Sequence, residues 1–423
     1  MLPGNPLQTV KINRLMTCFK WQYFLFACFE FWIIVSCQNH AERQDSTQIA
    51  QIEVSNDGII SDGCTSLEVD NEANLIRYSE LADTNVHVIK LETTPQSLIG
   101  RINKIVVQGE YIFVADTEIS KALFIFDRKG KFVGKIGARG EGPTEYYDIQ
   151  DFTIDIDQGK IVLLDLTGRK LNFYTLEGRF LHSKTIPFLF SGIESLDHRT
   201  WVLASQGAYN GHMPDIDGYS LIVCDTNFNI QAMHFPSDPK QRDFSYYNQR
   251  QLRKFGEHVF YYPRYSNMVY EVNVDGGLMK KYCLQFKQNG FELTTGREMN
   301  DGTFSSTVMN KKGYFSGDYI ELDTRAIFSI NNPRARGTLV YNRGDQQSVY
   351  SPSLIIDQPI FAFFKHDFYY YDKESIVTYV TPPELLLPLT VLPEDSPEKD
   401  LLLSKFNGYS DYDNPYLLVY KIL

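Results

Sequence analysis

The stretches IFVADTEISKALFIFDRKGKFVGKI (residues 112–136) and IVLLDLTGRKLNFYTLEGRFLHSKTI (residues 161–186) decide the fold of this protein. Each reads as an apolar strand ending in aspartate, a short polar turn, an aromatic-rich strand, a turn with glycine and a closing strand. The aspartates, Asp116 and Asp165, recur at a spacing of about 49 residues, which matches a four-stranded propeller blade of about 40–50 residues.

Weaker copies of this unit follow along the chain, at 201–235, 258–286, 319–350 and from 359 onward. The sequence therefore predicts an all-β protein, a six-bladed β-propeller of four-stranded antiparallel blades. An open ring would expose unpaired backbone groups at its edge strands. We expect HVIKLETT (87–94) and the final YLLVYKIL (416–423) to share the last blade and close the ring. The stretch EDSPEKDLLLSKF (394–406) predicts one short helix.

Composition agrees with a β protein. Among 423 residues there are 27 Tyr and 29 Phe, and aromatic side chains favour half-buried strands. The net charge of −11 is spread over the chain without a basic stripe. This excludes nucleic acid as an expected partner, because binding to phosphates needs clustered Lys and Arg.

The N-terminus has the pattern of an export signal. Basic residues precede the short apolar run YFLFACFEFWIIVSC (23–37), which is short for a membrane span. The run ends in IVSC, which resembles a bacterial lipobox and implies lipidation at Cys37. We predict a lipoprotein signal peptide at 1–36, a flexible tether at 37–61 and the propeller at 62–423. An ordinary signal peptide with a coincidental cysteine is the alternative.

The positions of the cysteines indicate little about the function of the protein. Six cysteines are present, and after removal of the signal and lipidation of Cys37 three remain, Cys64, Cys224 and Cys283. An odd number at wide spacing predicts no disulfide framework and no metal-binding pair. We expect at least one buried free thiol.

A glycine-rich stretch, GKIGARGEGPTEYYDIQDFTID (134–155), raises the question of a phosphate-binding loop. Such a loop needs a helix after it and usually a GK[ST] or GxGxxG pattern. Here an alternating strand pattern follows instead, and Glu141, Glu145 and Asp148 would repel phosphate. We therefore interpret the stretch as the connection between the first two blades.

The chain resembles propellers of the NHL type in the order of this glycine-rich linker, the strand pair around Gly159, Arg169 and the turn at Gly178. It departs from that pattern at Gly168, where the family usually has Asn. With the lipobox and the C-terminal NPYLLVYKIL (414–423), it is similar to the six-bladed propeller lipoproteins of Bacteroidetes. The resemblance implies an outer-membrane lipoprotein, periplasmic or surface-exposed, held to the membrane by its N-terminal lipid.

Motifs for catalysis are absent from the sequence. The 8 His residues form no HxH or HxxxH pair and no GxSxG occurs, so we predict no catalytic residue, no cofactor and no metal site. Asp116 and Asp165 recur in matching places, which favours a structural role as acceptors from turn amides.

Aromatic and charged residues near strand ends are the best ligand candidates, because aromatic rings stack on sugars and arginine holds carboxylates. The predicted ligand-binding residues are Arg139, Glu141, Tyr146, Arg169, Trp201, Tyr209 and Arg264. Packing between blades is the alternative role for the aromatic ones. The leading hypothesis is a binding or scaffold protein for a glycan, peptide or protein partner. The other is a propeller lyase, hydrolase or lactonase with residues converging on the central channel.

Overall fold

A computed structural model describes the protein over residues 60–423, except 62, 71–73, 137–138, 143, 206–207, 237–250, 264–265, 292–307, 309–310, 334–335, 364–367, 407 and 409. Every described residue belongs to one compact unit, Glu53–Leu423. The predicted signal peptide, Cys37 and nearly all of the tether lie outside the described residues.

The N-terminal part of this unit contributes short elements that reach several blades. They are β1 (Ile60–Ser61), β2 (Thr65–Val69), helix α1 (Tyr78–Leu81) and β3 (His87–Lys90).

Blades 1 to 3 each have four antiparallel strands in chain order. Blade 1 consists of β4 (Lys104–Gln108), β5 (Tyr111–Asp116), β6 (Ala122–Asp127) and β7 (Phe132–Ile136). Blade 2 consists of β8 (Asp151–Asp155), β9 (Lys160–Asp165), β10 (Lys170–Thr175) and β11 (Phe180–Thr185). Blade 3 consists of β12 (Gly192–Ser195), β13 (Thr200–Ala204), β14 (Tyr219–Asp225) and β15 (Ile230–Pro236).

Blades 4 to 6 repeat the arrangement with additions. Blade 4 contains β16 (Leu252–Phe255), β17 (His258–Tyr261), β18 (Met268–Val272) and β19 (Leu278–Phe286). Blade 5 contains β20 (Tyr314–Glu321), β21 (Arg325–Asn331), β22 (Arg336–Asn342) and β23 (Gln347–Ser351). Blade 6 contains β24 (Tyr369–Tyr370), β25 (Ser375–Val380) and β26 (Tyr416–Lys421), after a 3₁₀ helix (Pro359–Phe363).

Strands from the two ends of the propeller close the ring. Strand β3 pairs antiparallel with β26, so that Ile89 lies opposite Leu417, and it becomes the outer strand of blade 6. Both side chains are buried. This pairing removes the exposed edge that an open blade would present, and the prediction of a six-bladed, end-closed propeller is confirmed.

Blade 4 differs from a simple blade because two N-terminal strands extend it. Strands β1 and β2 both pair parallel with β19. A disulfide joins Cys64, just before β2, to Cys283 in β19. The expectation of no disulfide was wrong, since β2 folds back across 219 residues of sequence to lie beside β19. Cys224 is buried and free, as expected for one thiol.

The insertion in blade 6 separates β25 from β26 and is helical. It contains α2 (Pro382–Val391) and α3 (Pro397–Lys405). The Ser396 hydroxyl caps α3 by accepting from the Lys399 amide, and Pro397 occupies its first turn. The predicted short helix corresponds to α3, whereas α2 was not predicted.

The antiparallel order of each blade gives the propeller two faces. The hairpin face carries the turns between the first and second strands, at 109–110, 156–159, 196–199, 256–257, 322–324 and 371–374. The linker face carries the connections between blades and the turns between second and third strands, including 117–121, 139–142, 144–150 and 166–169. The first strand of each blade lines the central channel.

Candidate functional site

The recurring aspartates stabilise the linker face. Asp116 is fully buried and accepts from the backbone amides of Arg101 at 2.9 Å and Ile119 at 2.8 Å. Asp165 accepts in the same way from the amides of Tyr147 at 3.0 Å and Gly168 at 2.8 Å. The predicted structural role of this pair is confirmed. Burial raises the pKa of Asp116, but the amide hydrogen bonds outweigh it and hold that pKa below its usual value.

Four of the predicted ligand residues lie on the linker face with exposed side chains: Arg139, Glu141, Arg169 and Tyr209. Arg139 donates from Nε to the carbonyl oxygen of Tyr147 at 3.1 Å. The first three come from the connection between blades 1 and 2 and from the blade 2 turn. Tyr209 belongs to the blade 3 turn, and the residue is 66% exposed.

The other predicted ligand residues have different positions. Tyr146 is 1% exposed, and its hydroxyl donates to the carbonyl oxygen of Lys121 at 2.6 Å. Trp201 is 2% exposed and packs edge-on against the ring of Phe228, with the ring centroids 5.3 Å apart. Both side chains fill the interior of the propeller and do not reach an outside ligand. Arg264 lies outside the described residues.

The central channel contains an ion cluster built by three consecutive blades. Lys104 of β4 donates from Nζ to Asp151 of β8 at 2.9 Å and to Glu194 of β12 at 2.8 Å. The same Nζ donates to the carbonyl oxygen of Phe152 at 2.7 Å. Thr153 donates its hydroxyl to the second carboxylate oxygen of Glu194 at 2.7 Å. The four polar side chains therefore satisfy one another across the blade boundaries.

Burial sets the protonation of this cluster. Desolvation opposes the charge on Lys104, but Asp151 and Glu194 outweigh it and raise the pKa of the ammonium. Lys104 is thus held as a cation. Burial, together with the negative charge of Glu194, raises the pKa of Asp151. On the next blade, burial lowers the pKa of Lys254, which donates to the carbonyl oxygen of Ser195.

The channel widens at the hairpin face into a mouth of about 740 Å³, which we call the hairpin mouth. Inside, the channel encloses only about 130 Å³. The lining of the mouth combines aromatic rings with charged groups of both signs. Its aromatic and charged residues are Arg128, Phe255, Glu257, His258, Phe260, Lys281, Glu321, Asp323, Arg343, Tyr370, Tyr371 and Lys373.

Two buried carboxylates hold charged residues of the hairpin mouth: Glu271, which does not line it, and Glu321, which does. Glu271 accepts from Lys281 at 3.0 Å through Oε2, and its Oε1 lies 2.6 Å from Nδ1 of His258. Glu321 accepts through Oε2 from the Arg343 guanidinium and from a tyrosine hydroxyl. The first carboxylate has both oxygens engaged, while the second uses only one.

Sequence reasoning missed the channel cluster and the hairpin mouth. Each contributing charge stands alone within a short, otherwise unremarkable first strand, such as KIVVQ (104–108) or GIES (192–195). The available signal was a charged residue in the inner strand of each of blades 1 to 3: Lys104, Asp151 and Glu194. Only the register between blades brings these charges together.

No group of three or more His, Cys, Asp or Glu residues suited to a metal ion occurs in the described part of the chain. None of the helices among the described residues is both long and apolar enough to cross a membrane.

Residues 64–421 match the family described as Domain of unknown function (DUF4934), and the chain belongs to that family. No protein with a curated description matches the sequence. A crystal structure of a candidate exported protein from Bacteroides fragilis has a TM-score of 0.71 and 18% identity, covering 85% of this chain and 100% of that one.

Two more distant structures share less. A member of the duf4221 family from Bacteroides vulgatus has a TM-score of 0.49 and 10% identity, covering 81% of this chain and 98% of that one. The virginiamycin B lyase from Staphylococcus aureus has a TM-score of 0.38 and 11% identity, covering 69% of this chain and 94% of that one. The B. fragilis likeness concerns the fold, and the other two bear on neither fold nor function.

Proposed function

We propose that this protein is a lipid-anchored binding or scaffold protein of the cell envelope that presents a propeller face to a glycan, peptide or protein partner. One observation carries the binding role. The ionisable groups of the channel cluster are paired with one another, because Lys104 forms ion pairs with both Asp151 and Glu194. A wide, chemically mixed mouth opens at the hairpin face of the same channel.

The mutual pairing weighs against catalysis for a physical reason. A general base or nucleophile needs a lone pair that substrate can reach at working pH. Lys104 has its pKa raised by its two carboxylate partners and stays protonated. A cluster of this kind fixes three blades relative to one another, which suits a rigid binding platform.

Export is supported by two independent features. The N-terminal sequence has the order of a lipoprotein signal that ends at Cys37. The disulfide between Cys64 and Cys283 is typical of proteins that fold outside the reducing cytoplasm. We propose attachment to the outer membrane through lipid on Cys37.

Two measurements test this proposal. Cells expressing the full chain would be labelled with a fatty-acid probe, and the Cys37→Ala variant should lose both the label and membrane association. The purified protein would be screened against glycan arrays and peptide libraries. Saturable binding without turnover supports the proposal, whereas turnover of a polysaccharide by the pure protein would contradict it.

A propeller lyase, hydrolase or lactonase is the second candidate, and one observation favours it. Burial lowers the pKa of Lys254 beside a channel built from several blades, which is the chemistry of a lysine base. The variant Lys254→Met separates the two candidates. If the protein is an enzyme, the wild type should turn over its substrate and Lys254→Met should not. If it is a binding protein, neither the wild type nor the variant should show turnover.

A further inference from the structure

One residue that lines the hairpin mouth has a buried oxygen with no hydrogen-bond partner among the described residues. Glu321 ends β20 and is 7% exposed. Its Oε2 accepts from Tyr282 at 3.2 Å and from Arg343. Its Oε1 is buried and has no hydrogen-bond partner among the described residues. Leaving a buried acceptor unpaired costs about 1–3 kcal/mol, and more if it is charged, so a donor from outside would be favoured there.

We propose that Glu321 anchors a carbohydrate in the hairpin mouth by accepting a hydrogen bond from a sugar hydroxyl. This rests on the proposed binding function and narrows its partner to a neutral glycan. The structure supplies the acceptor, the room and the aromatic surfaces that such a ligand needs.

The charge of the site selects a neutral donor. The guanidinium of Arg343 already compensates the carboxylate of Glu321. An ammonium ligand would bring a second cation close to Arg343, while Lys281 and Arg128 add positive charge to the same lining. A polyanion would meet Glu321, Glu257 and Asp323 in that lining. A hydroxyl donates to Oε1 without adding charge of either sign.

Aromatic rings provide the second half of a sugar site. Tyr370 and Tyr371 are half-buried residues of the lining. The guanidinium of Arg128 stands 4.8 Å from the centre of the Tyr371 ring and fixes its orientation. The ring of Tyr370 packs against Phe255, with the centroids 6.0 Å apart. Aromatic rings held in place by such contacts offer the apolar surface on which the C–H face of a sugar stacks.

The size of the mouth agrees with a small ligand. Its volume of about 740 Å³ lies within the range of roughly 300–1,000 Å³ usual for small-molecule sites. The turn glycine Gly109 in the lining has nothing within 4 Å of the position that a Cβ would take. This leaves space for a ligand beside the turn of blade 1.

The test uses the full chain and isothermal titration calorimetry. The probes are neutral oligosaccharides of hexoses and N-acetylhexosamines, taken from those that the array retains. Glu321→Gln should weaken binding at least about tenfold, because a hydrogen bond to a charged acceptor is lost. Tyr371→Ala should weaken binding independently, through loss of the stacking surface, even if Glu321→Gln folds poorly.

A matched control is available on the neighbouring blade. Glu271 is also a buried carboxylate, but it is not part of the lining, and His258 and Lys281 engage both of its oxygens. Glu271→Gln should leave the affinity within about twofold of the wild type, since no free acceptor is lost. Thermal melts of all three variants check that each is folded under the conditions of titration.

The outcomes separate this inference from the proposed function. An unchanged affinity in Glu321→Gln overturns the inference, and so does an equal loss in Glu271→Gln. If Tyr209→Ala on the linker face abolishes glycan binding instead, or if only a peptide or protein binds, the inference fails and the proposed function stands. If no glycan, peptide or protein binds the wild type, both proposals fall.

Discussion

Asp116 and Asp165 make the same contact in consecutive blades, each receiving backbone amides from the connection that enters its own blade and from the turn that follows it. Each carboxylate thereby holds the entering connection and the following turn to the end of its own strand. The contact explains why the repeat retains an aspartate at the end of an otherwise apolar strand.

Replacing Asp116 by Asn should lower the free energy of unfolding by about 2–4 kcal/mol, because the amide keeps only one acceptor and no charge. The pKa of Asp116 is lowered in the folded state. Its contribution is therefore present above the usual aspartate pKa, about 3.9, and is lost as the pH falls through the folded value. Urea unfolding of the two proteins between pH 7 and 3 measures this. The exposed Asp215→Asn is the control, and a difference between Asp116→Asn and wild type that persists unchanged at pH 3 would contradict the assignment.

A glycine in the outer turn of blade 1 should be irreplaceable. Gly130 has φ of +83°, and a Cβ there would collide with the carbonyl oxygen of Lys90 in β3. Gly109 has φ of +55° and open space at the same position. Gly109→Ala should cost about 1–2 kcal/mol from backbone conformation alone, whereas Gly130→Ala should cost clearly more and loosen the closing blade. Equal losses in thermal unfolding would argue against the contact with β3.

Removing the channel cation should be more damaging than removing a surface one. Lys104→Met leaves Asp151 and Glu194 buried together without compensation and should cost about 3–5 kcal/mol at pH 7. The pKa of Asp151 is already raised, and the variant would raise it further. Because the pKa of Asp151 is higher in the folded state than in the unfolded state, the destabilisation is complete at pH values above the folded-state pKa. It disappears at pH values below the unfolded-state pKa, near 4.

The variant should therefore approach the stability of the wild type as the pH falls. Denaturant titrations across that pH range check the sign, with the exposed Lys129→Met as control. Rescue at pH 7 by adding Asp151→Asn would support the same account, and a penalty that grows towards acid would refute it.

The disulfide between Cys64 and Cys283 should hold β2 on blade 4. Peptide mapping without reduction should recover these two cysteines in one linked fragment. Cys64→Ser should lower the free energy of unfolding by about 2–5 kcal/mol, because the bond closes a long loop in the unfolded chain. Cys224→Ala keeps the bond and serves as the comparison. Recovery of Cys64 as a free thiol from the exported protein would disprove the pairing.

Sequence reasoning predicted much of the fold and little of the site. The repeat, the turn glycines and the closing strands could be predicted because each depends on a local sequence pattern. The position of β2 was not, because a parallel partner 219 residues away leaves no local pattern. Tyr146 and Trp201 show the same limit at single residues, since an aromatic ring near a turn has the same sequence signature whether it is buried or exposed.

The sequence by itself determined the number of blades, the turns that need glycine and the aspartates that cap the linker face. These follow from strand periodicity and from backbone conformations that few residues adopt. Only the tertiary structure decided which charges meet on the axis and which buried carboxylate oxygen beside the hairpin mouth is left without a partner. The packing of separate blades brings together Lys104, Asp151 and Glu194. No single stretch of sequence determines the distances between side chains on different blades.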